Sequence, residues 1–300
     1  MSSAPGGFPT VRRLDAPALL DGLERAAGVR FEVLGPLDGG QVGAARVRWP
    51  DGHEGVLKWR LDYTVAQMQA GPLAAAEALR ARGYPAPATE LVAHVDDAVV
   101  TVQELLQGTK TYHMDEGLFE QALALNARHV GVLAGRDDVS RINLFLTADG
   151  PGYCLHEPLR RFDERTAALE RWVAKVGADS EPLMPGDDVV HQDFHPGNML
   201  SVTVPGGTER RLTGVIDWDG AGRGDAGFDL VTLRFGIHPA GADRAVIERL
   251  DTLLDRMPAH VLRPAWAHMS LRMTDWAIRH FPSDEVATWV ALAAQRMDNG

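Results

Sequence analysis

Val190-His191-Gln192-Asp193-Phe194-His195-Pro196-Gly197-Asn198-Met199-Leu200 decides the fold, and an apolar strand ending in acid, Val215-Ile216-Asp217-Trp218-Asp219, follows it. Together they present a carboxylate at 193, an amide five positions later at 198, and a second carboxylate, Asp217, on a neighbouring strand. Phosphoryl transfer needs that set: one group to accept or orient an attacking hydroxyl, and oxygen ligands to hold magnesium on nucleotide phosphates. A polar loop with Asp and Asn as turn formers accounts for single residues but not for the ordered group. A metal hydrolase built on His191, Asp193 and His195, with His156 and Glu157 nearby, would leave Lys58, Asn198 and Asp217 unexplained.

Working outward toward the N-terminus, Leu14 to Gly28 reads as a helix capped by Asp15, with Pro17 in its first turn and Gly28 at its end. Short period-2 runs follow at Phe31–Leu34, Ala44–Trp49 and Gly55–Leu61, the last two joined by the turn Pro50-Asp51-Gly52. A second helix is expected to begin near Pro72 and to run past Glu77 to Gly83, because Pro suits a first helical turn. Two more apolar runs, Glu90–Val95 and Ala98–Leu106, flank the turn pair Asp96-Asp97. The expected class is therefore α+β. Residues 1–107 form a lobe with a five-stranded antiparallel sheet and one inserted helix, a hinge lies near 103–108, and 108–300 form a mostly helical second lobe. In that second part helical spacing dominates, with a strand-rich island at 189–217 and breaks expected at Pro258, Pro264 and Pro282.

Lys58 sits in Val56-Leu57-Lys58-Trp59, where alternation puts Val56 and Lys58 on one face. The chain has three lysines, Lys58, Lys110 and Lys175, against 27 arginines. A lysine inside an apolar strand of so arginine-rich a chain marks a site suited to a compact ammonium. The loop Gly35 to Gly43, with Gly39 and Gly40, is placed to cover a triphosphate with backbone amides. Its glycines do not spell GxGxxG, and no Walker sequence precedes any lysine, which disfavours P-loop kinases.

His191-x-Asp193-x-x-x-x-Asn198, with Asp217, Gly224-Asp225 and Asp229 behind it, resembles the aminoglycoside phosphotransferase family, relatives of the protein kinases, over nearly the whole chain. The resemblance implies a protein-kinase-like two-lobed fold and ATP-dependent phosphorylation of a small hydroxylated molecule, with Mg2+ and with GTP as an alternative donor. Asp193 would be the catalytic base or hydroxyl-orienting group, Asn198 and Asp217 the magnesium ligands, and His191 the support of the loop. Glu77 would pair with Lys58, and the hinge would hold adenine beside Glu104 and Leu106. His195 would touch the transferring phosphate or shape the loop, and Asp225 and Asp229 would brace it. Family members commonly carry Gly where this chain has Gln192, a difference read as harmless. The acceptor would bind among the helices of the large lobe, where Glu157, Asp219, Asp275 and Trp276 are the candidates.

The formal charge is -11, which repels nucleic acid and anionic lipid and attracts a cationic acceptor such as an aminoglycoside. A sugar or amino alcohol of metabolism is the alternative acceptor. A pseudokinase scaffold would have no need to keep Lys58, Asp193, Asn198 and Asp217 together, and the DFG and APE strings of protein kinases are missing. Cys154 is the only cysteine, so no disulfide framework forms within the chain. With no signal pattern and no apolar run near the roughly 20 residues that span a bilayer, a cytoplasmic protein is expected, as monomer or homodimer.

Overall fold

The computed structural model describes residues 8, 12–37, 42–61 and 63–297. Helix α1 (Ala16–Ala27) starts where the Asp15 carboxylate accepts the Ala18 amide and stops at Gly28, whose φ of 69° is the left-handed conformation that glycine adopts without strain. Strands β1 (Glu32–Leu37), β2 (Ala44–Arg48), β3 (Glu54–Arg60), β4 (Thr89–Val95) and β5 (Ala98–Glu104) make one antiparallel sheet in the order β1-β2-β3-β5-β4. Gly55, Leu57 and Trp59 of β3 are buried, so Val56, Lys58 and Arg60 share the opposite face. Leu19 and Leu23 of α1 close a small core over Phe31, Val47, Leu57, Trp59, Val95, Val100 and Val102.

The helix after β3 begins earlier than expected. The Thr64 hydroxyl accepts the Gln67 amide at 3.2 Å and Gln67 Oε1 accepts the Thr64 amide at 2.8 Å, a reciprocal cap that the spacing Thr64-x-x-Gln67 encodes. From it run α2 (Val65–Met68), a π-helical stretch Gln69–Leu73 and α3 (Ala74–Arg80). Pro72 lacks the N–H that an α-helix would return to Met68, and the wider turn accommodates it inside the helix rather than at its start. Ala75, Ala76 and Leu79, with Tyr84 and Ala86 just beyond, pack into the core of the helical part rather than that of the sheet.

After the short strand β6 (Thr109–Lys110) come α4 (Glu116–Ala127), α5 (His156–Phe162) and α6 (Glu164–Ala178), then β7 (Asp188–Val190), β8 (Met199–Thr203), β9 (Arg210–Val215) and β10 (Gly222–Gly224). Strands β6, β8 and β9 form one small sheet, and β7 and β10 another. The chain finishes with α7 (Gly227–Ala240), α8 (Arg244–Asp255), α9 (Ala259–His280) and α10 (Ser283–Ala294). Pro258 and Pro282 end up as caps, whereas Pro264 lies buried inside α9, where packing outweighs the single lost backbone bond. Among the described residues no helix is long and apolar enough to cross a membrane.

Candidate active site

The 191–198 segment links β7 to β8 and is held from behind by α7. Asp229, fully buried, accepts the backbone amides of His191 at 2.9 Å and Gln192 at 3.0 Å, and the Thr232 hydroxyl accepts the Phe194 amide at 3.2 Å. His129 Nδ1–H donates to Asp229 at 3.1 Å, while His129 Nε2 accepts from the Tyr84 hydroxyl at 3.0 Å, so a buried relay joins the end of α3 to the loop. Asp229 thus braces the loop. Asp225 does not: its carboxylate accepts the Gly227 amide at the start of α7.

His191 is buried with both ring nitrogens engaged. Nδ1 accepts the Asp193 amide at 3.2 Å and Nε2–H donates to the Ile216 carbonyl at 3.0 Å, an arrangement that needs the uncharged ring. Burial lowers its pKa in the same sense. With neither nitrogen free, His191 is no metal ligand, which removes the hydrolase reading. Among the described residues no group of three His, Cys, Asp or Glu gathers to hold a metal. Gln192 has φ of 68°, the left-handed region, so a glycine at this position has a backbone reason. Gln192 instead bears a strain of about 1–2 kcal/mol.

Asp193 is the centre of the site. Its Oδ2 accepts Asn198 Nδ2 at 2.9 Å and faces His195 Nε2 at 3.4 Å, and its Oδ1 accepts Arg272 Nη2 at 3.0 Å. Arg272 also donates from Nη1 to the Gln192 carbonyl at 2.7 Å, clamping the loop from α9. Burial by itself would raise the Asp193 carboxyl, but the Arg272 charge and His195 outweigh it and hold the carboxyl well below the usual range. His195 Nδ1 accepts the Gly197 amide at 3.1 Å, which leaves Nε2–H to face Asp193. Arg272 went unread in the sequence: it lies 79 residues from Asp193, and one arginine among 27 carries no signal.

Lys58 reaches across from β3. Its Nζ lies 2.5 Å from Asp217 Oδ1 and 2.5 Å from Asp219 Oδ2. Burial would lower its pKa, yet the two carboxylates raise it, so the ammonium stays charged across any working pH. Burial raises and Lys58 lowers the Asp217 carboxyl, and the net direction is down. Asp217, itself at φ of 69°, keeps 42% of its side chain exposed. Ile216 N donates to the Asn198 carbonyl at 2.9 Å, which sets Asp217 directly beside the 191–198 loop. Asn198 turns its amide nitrogen to Asp193 and so its oxygen away. One amide oxygen and one open carboxylate are hard donors of the kind magnesium takes alongside phosphate oxygens.

Glu77 and the carboxylates expected at an acceptor are engaged by cations of the chain. Glu77 does not approach Lys58: its side chain is 73% exposed and lies 3.6 Å from Arg80, because its position on α3 points to solvent while Ala75, Ala76 and Leu79 take the inner face. Glu157 is exposed and paired with Arg161. Asp275 is fully buried on Arg279 at 2.7 Å and accepts the Leu155 amide, so it is a structural ion pair with no face toward an acceptor. Trp276 stacks on His280 at 3.8 Å. Asp219 is buried on Lys58 rather than open to an acceptor. The Glu104 amide donates to the Ala88 carbonyl and the Glu104 carboxylate accepts the Ala88 amide, while Leu106 packs over Gly214. Gly39 and Gly40 lie outside the described residues.

A model of the phosphotransferase enzyme family, APH, matches residues 62–270. No curated protein matches the chain. Among solved structures, an aminoglycoside-3'-phosphotransferase of type VIII superposes with a TM-score of 0.50 at 21% identity, over 84% of this chain and 98% of its own. Putative fructosamine-3-kinases from Haemophilus somnus 129PT (TM-score 0.51, 10% identity, 92% and 96% covered) and Thermobifida fusca YX-ER1 (0.50, 16%, 93% and 98%) do likewise. At these identities the likeness gives the fold alone, the protein-kinase-like α+β architecture.

Proposed function

The chain belongs to the phosphotransferase enzyme family, and from that premise we propose that it moves the γ-phosphate of ATP to a hydroxyl of a small molecule, with Asp193 aiming that hydroxyl. The observation that carries the reading is the convergence, from distant parts of the chain, of Asp193, Asn198, Asp217 and Lys58 on one loop junction.

A carboxylate held as acidic as Asp193 is a weak proton acceptor, so its role is to receive the hydroxyl's hydrogen bond and fix its line of attack. That suits a loose phosphoryl-transfer transition state, in which the nucleophile keeps its proton until late. Asp193 Oδ1, with Arg272 as its one partner described above, keeps a lone pair, enough to take one acceptor hydroxyl. Lys58 would meet the nucleotide phosphates, and Asp219 would hold it in place when Asp217 turns to the metal. Asn198 and Asp217 would hold Mg2+, which offsets phosphate charge when bound. The adenine would lie along the β5–β6 connection beside Leu106, since the Glu104 amide is already engaged.

We assign the acceptor as a hydroxylated compound of antibiotic size, inactivated by phosphorylation. The polycationic version of that reading loses support, because Glu157, Asp219 and Asp275 are each engaged by a cation of the chain. The test is ADP release with ATP and magnesium against hydroxylated antibiotics, aminosugars and amino alcohols, beside Asp193→Ala. Turnover on one compound class should fall about 10²–10⁴-fold in the variant; an Asp193→Ala protein that keeps near-full turnover refutes the assignment.

A further inference from the structure

Two arginine–tyrosine pairs lie at the site, one carried by the sheet and one by the helical part. From the sheet side, Arg60 lies on the same face of β3 as Lys58, donates from Nη1 to the Asp219 carbonyl at 3.1 Å and places its guanidinium 4.3 Å from the Tyr63 ring. From the helical side, Arg272 touches Asp193 and lies 5.8 Å from the Tyr153 ring. The sheet-side pair is tied to the site through Asp219, whose carboxylate holds Lys58, and Arg60, Tyr63 and Arg272 each lie within electrostatic reach of Tyr153, whose hydroxyl burial pushes up. Arg60 forms no ion pair among the described residues, which leaves a guanidinium edge unspent. A fork of that shape binds a carboxylate through two parallel hydrogen bonds and repels an ammonium group. The flanking rings offer flat apolar faces.

We infer that Arg60, Tyr63, Tyr153 and Arg272 form the acceptor subsite, and that the acceptor is a hydroxyl compound bearing a carboxylate and a flat apolar face rather than a polycation. This rests on Asp193 being the hydroxyl-orienting residue. The chain's overall negative charge does not oppose it, because at contact distance the two guanidinium groups set the field. The carboxylate would sit on Arg60, with the ring between Tyr63 and Tyr153, and the hydroxyl would be left to Asp193. Arg272 positions Asp193 and screens its charge from the incoming anion.

The experiment uses three probes that share a benzyl group and a hydroxyl and differ in charge: 3-phenyllactate, 3-phenyl-1,2-propanediol and phenylalaninol. Each is titrated calorimetrically into the full-length protein loaded with magnesium and ADP, and each is assayed for ATP-dependent phosphorylation. The anion should bind about tenfold or more tighter than the amine, from one charge-assisted contact, and Arg60→Gln should erase that preference while Arg60→Lys restores part of it. Tyr63→Ala should weaken all three alike. Equal or tighter binding of the amine, a preference that survives Arg60→Gln, or no binding of any probe overturns the subsite. So does an Arg60→Gln protein whose only defect is a raised KM for ATP, since Arg60 would then serve the nucleotide. Failure of magnesium-ADP to bind at all would instead count against the phosphotransferase reading, so the two failures are distinguishable.

Discussion

Gly236 in α7 touches no reacting group, yet its neighbour makes it decisive. A methyl group there would lie 2.1 Å from His195 Cβ and 3.0 Å from its Cγ, where ordinary contact begins at 3.4 Å, so Gly236→Ala demands about 1.3 Å of movement. Two terms oppose each other. Alanine favours a helix interior by about 1 kcal/mol over glycine, whereas overpacking a filled core costs about 1–3 kcal/mol. Stability should therefore fall by no more than about 2 kcal/mol. Activity should fall further. His195 holds the Gly197 amide and faces Asp193, so the loop yields before the helix does, and a displacement of about 1 Å at a reacting group lowers the rate about 10²-fold. The assay pairs thermal unfolding with ADP release at saturating magnesium-ATP in a double-mutant cycle with His195→Gly. With Cβ and the imidazole gone, the nearest atom to the added methyl is the Cα of residue 195 at 3.4 Å, an ordinary contact, and Gly236→Ala should then be neutral or stabilising. A Gly236→Ala enzyme with full turnover, or a cycle that shows no coupling, refutes the reasoning.

Asp219→Asn should raise KM for ATP about 10- to 100-fold by removing a buried charge-assisted partner of Lys58, while Glu77→Gln should change it by about twofold or less; steady-state kinetics on both variants decide between the two carboxylates. Asp229→Ala leaves the buried His191 and Gln192 amides without an acceptor and should cost about 3–5 kcal/mol, read by urea unfolding and by lost amide-exchange protection at those two residues. His268, buried with Nδ1–H on the Leu144 carbonyl, is held at about 4 by burial against an ordinary 6.5. The unfolded chain takes that proton first, so stability should be full above pH about 6.5 and fall by about 3 kcal/mol as pH drops toward 4. A His268→Gln variant should flatten unfolding free energy measured across that window.

The sheet was legible because its strands alternate and its turns are spelled out: Pro50-Asp51-Gly52 and Asp96-Asp97 leave few other pairings. The loop chemistry was legible because Asp193 and Asn198 sit at a fixed short spacing. What escaped was long-range or ambiguous. Pro72 looked like a helix start because a first turn tolerates proline, and the actual start, Thr64 with Gln67, is a weaker signal. The strands β7 and β10 have three residues each, too few to show a period. Arg272, Tyr84 and His129 act through partners 45 to 100 residues away, and no local pattern announces such contacts. Glu77 is a carboxylate on the expected helix but faces solvent beside Arg80, whereas the i,i+4 spacing Asp275–Arg279 is a local signal of a structural pair.

The anchoring of Lys58 also bears on how such an enzyme is controlled. Where the strand lysine depends on a glutamate of the adjoining helix, swinging that helix breaks the pair and switches catalysis off, which is what protein kinases exploit. Here both anchors, Asp217 and Asp219, come from the loop after β9, and the helix from Val65 to Arg80 contributes no carboxylate to the pair. A swing of that helix would therefore leave both carboxylates of Lys58 in place. Purified protein should turn over with nucleotide, magnesium and acceptor alone, without activation by modification or a partner, and its output in the cell would be set by how much of it is made.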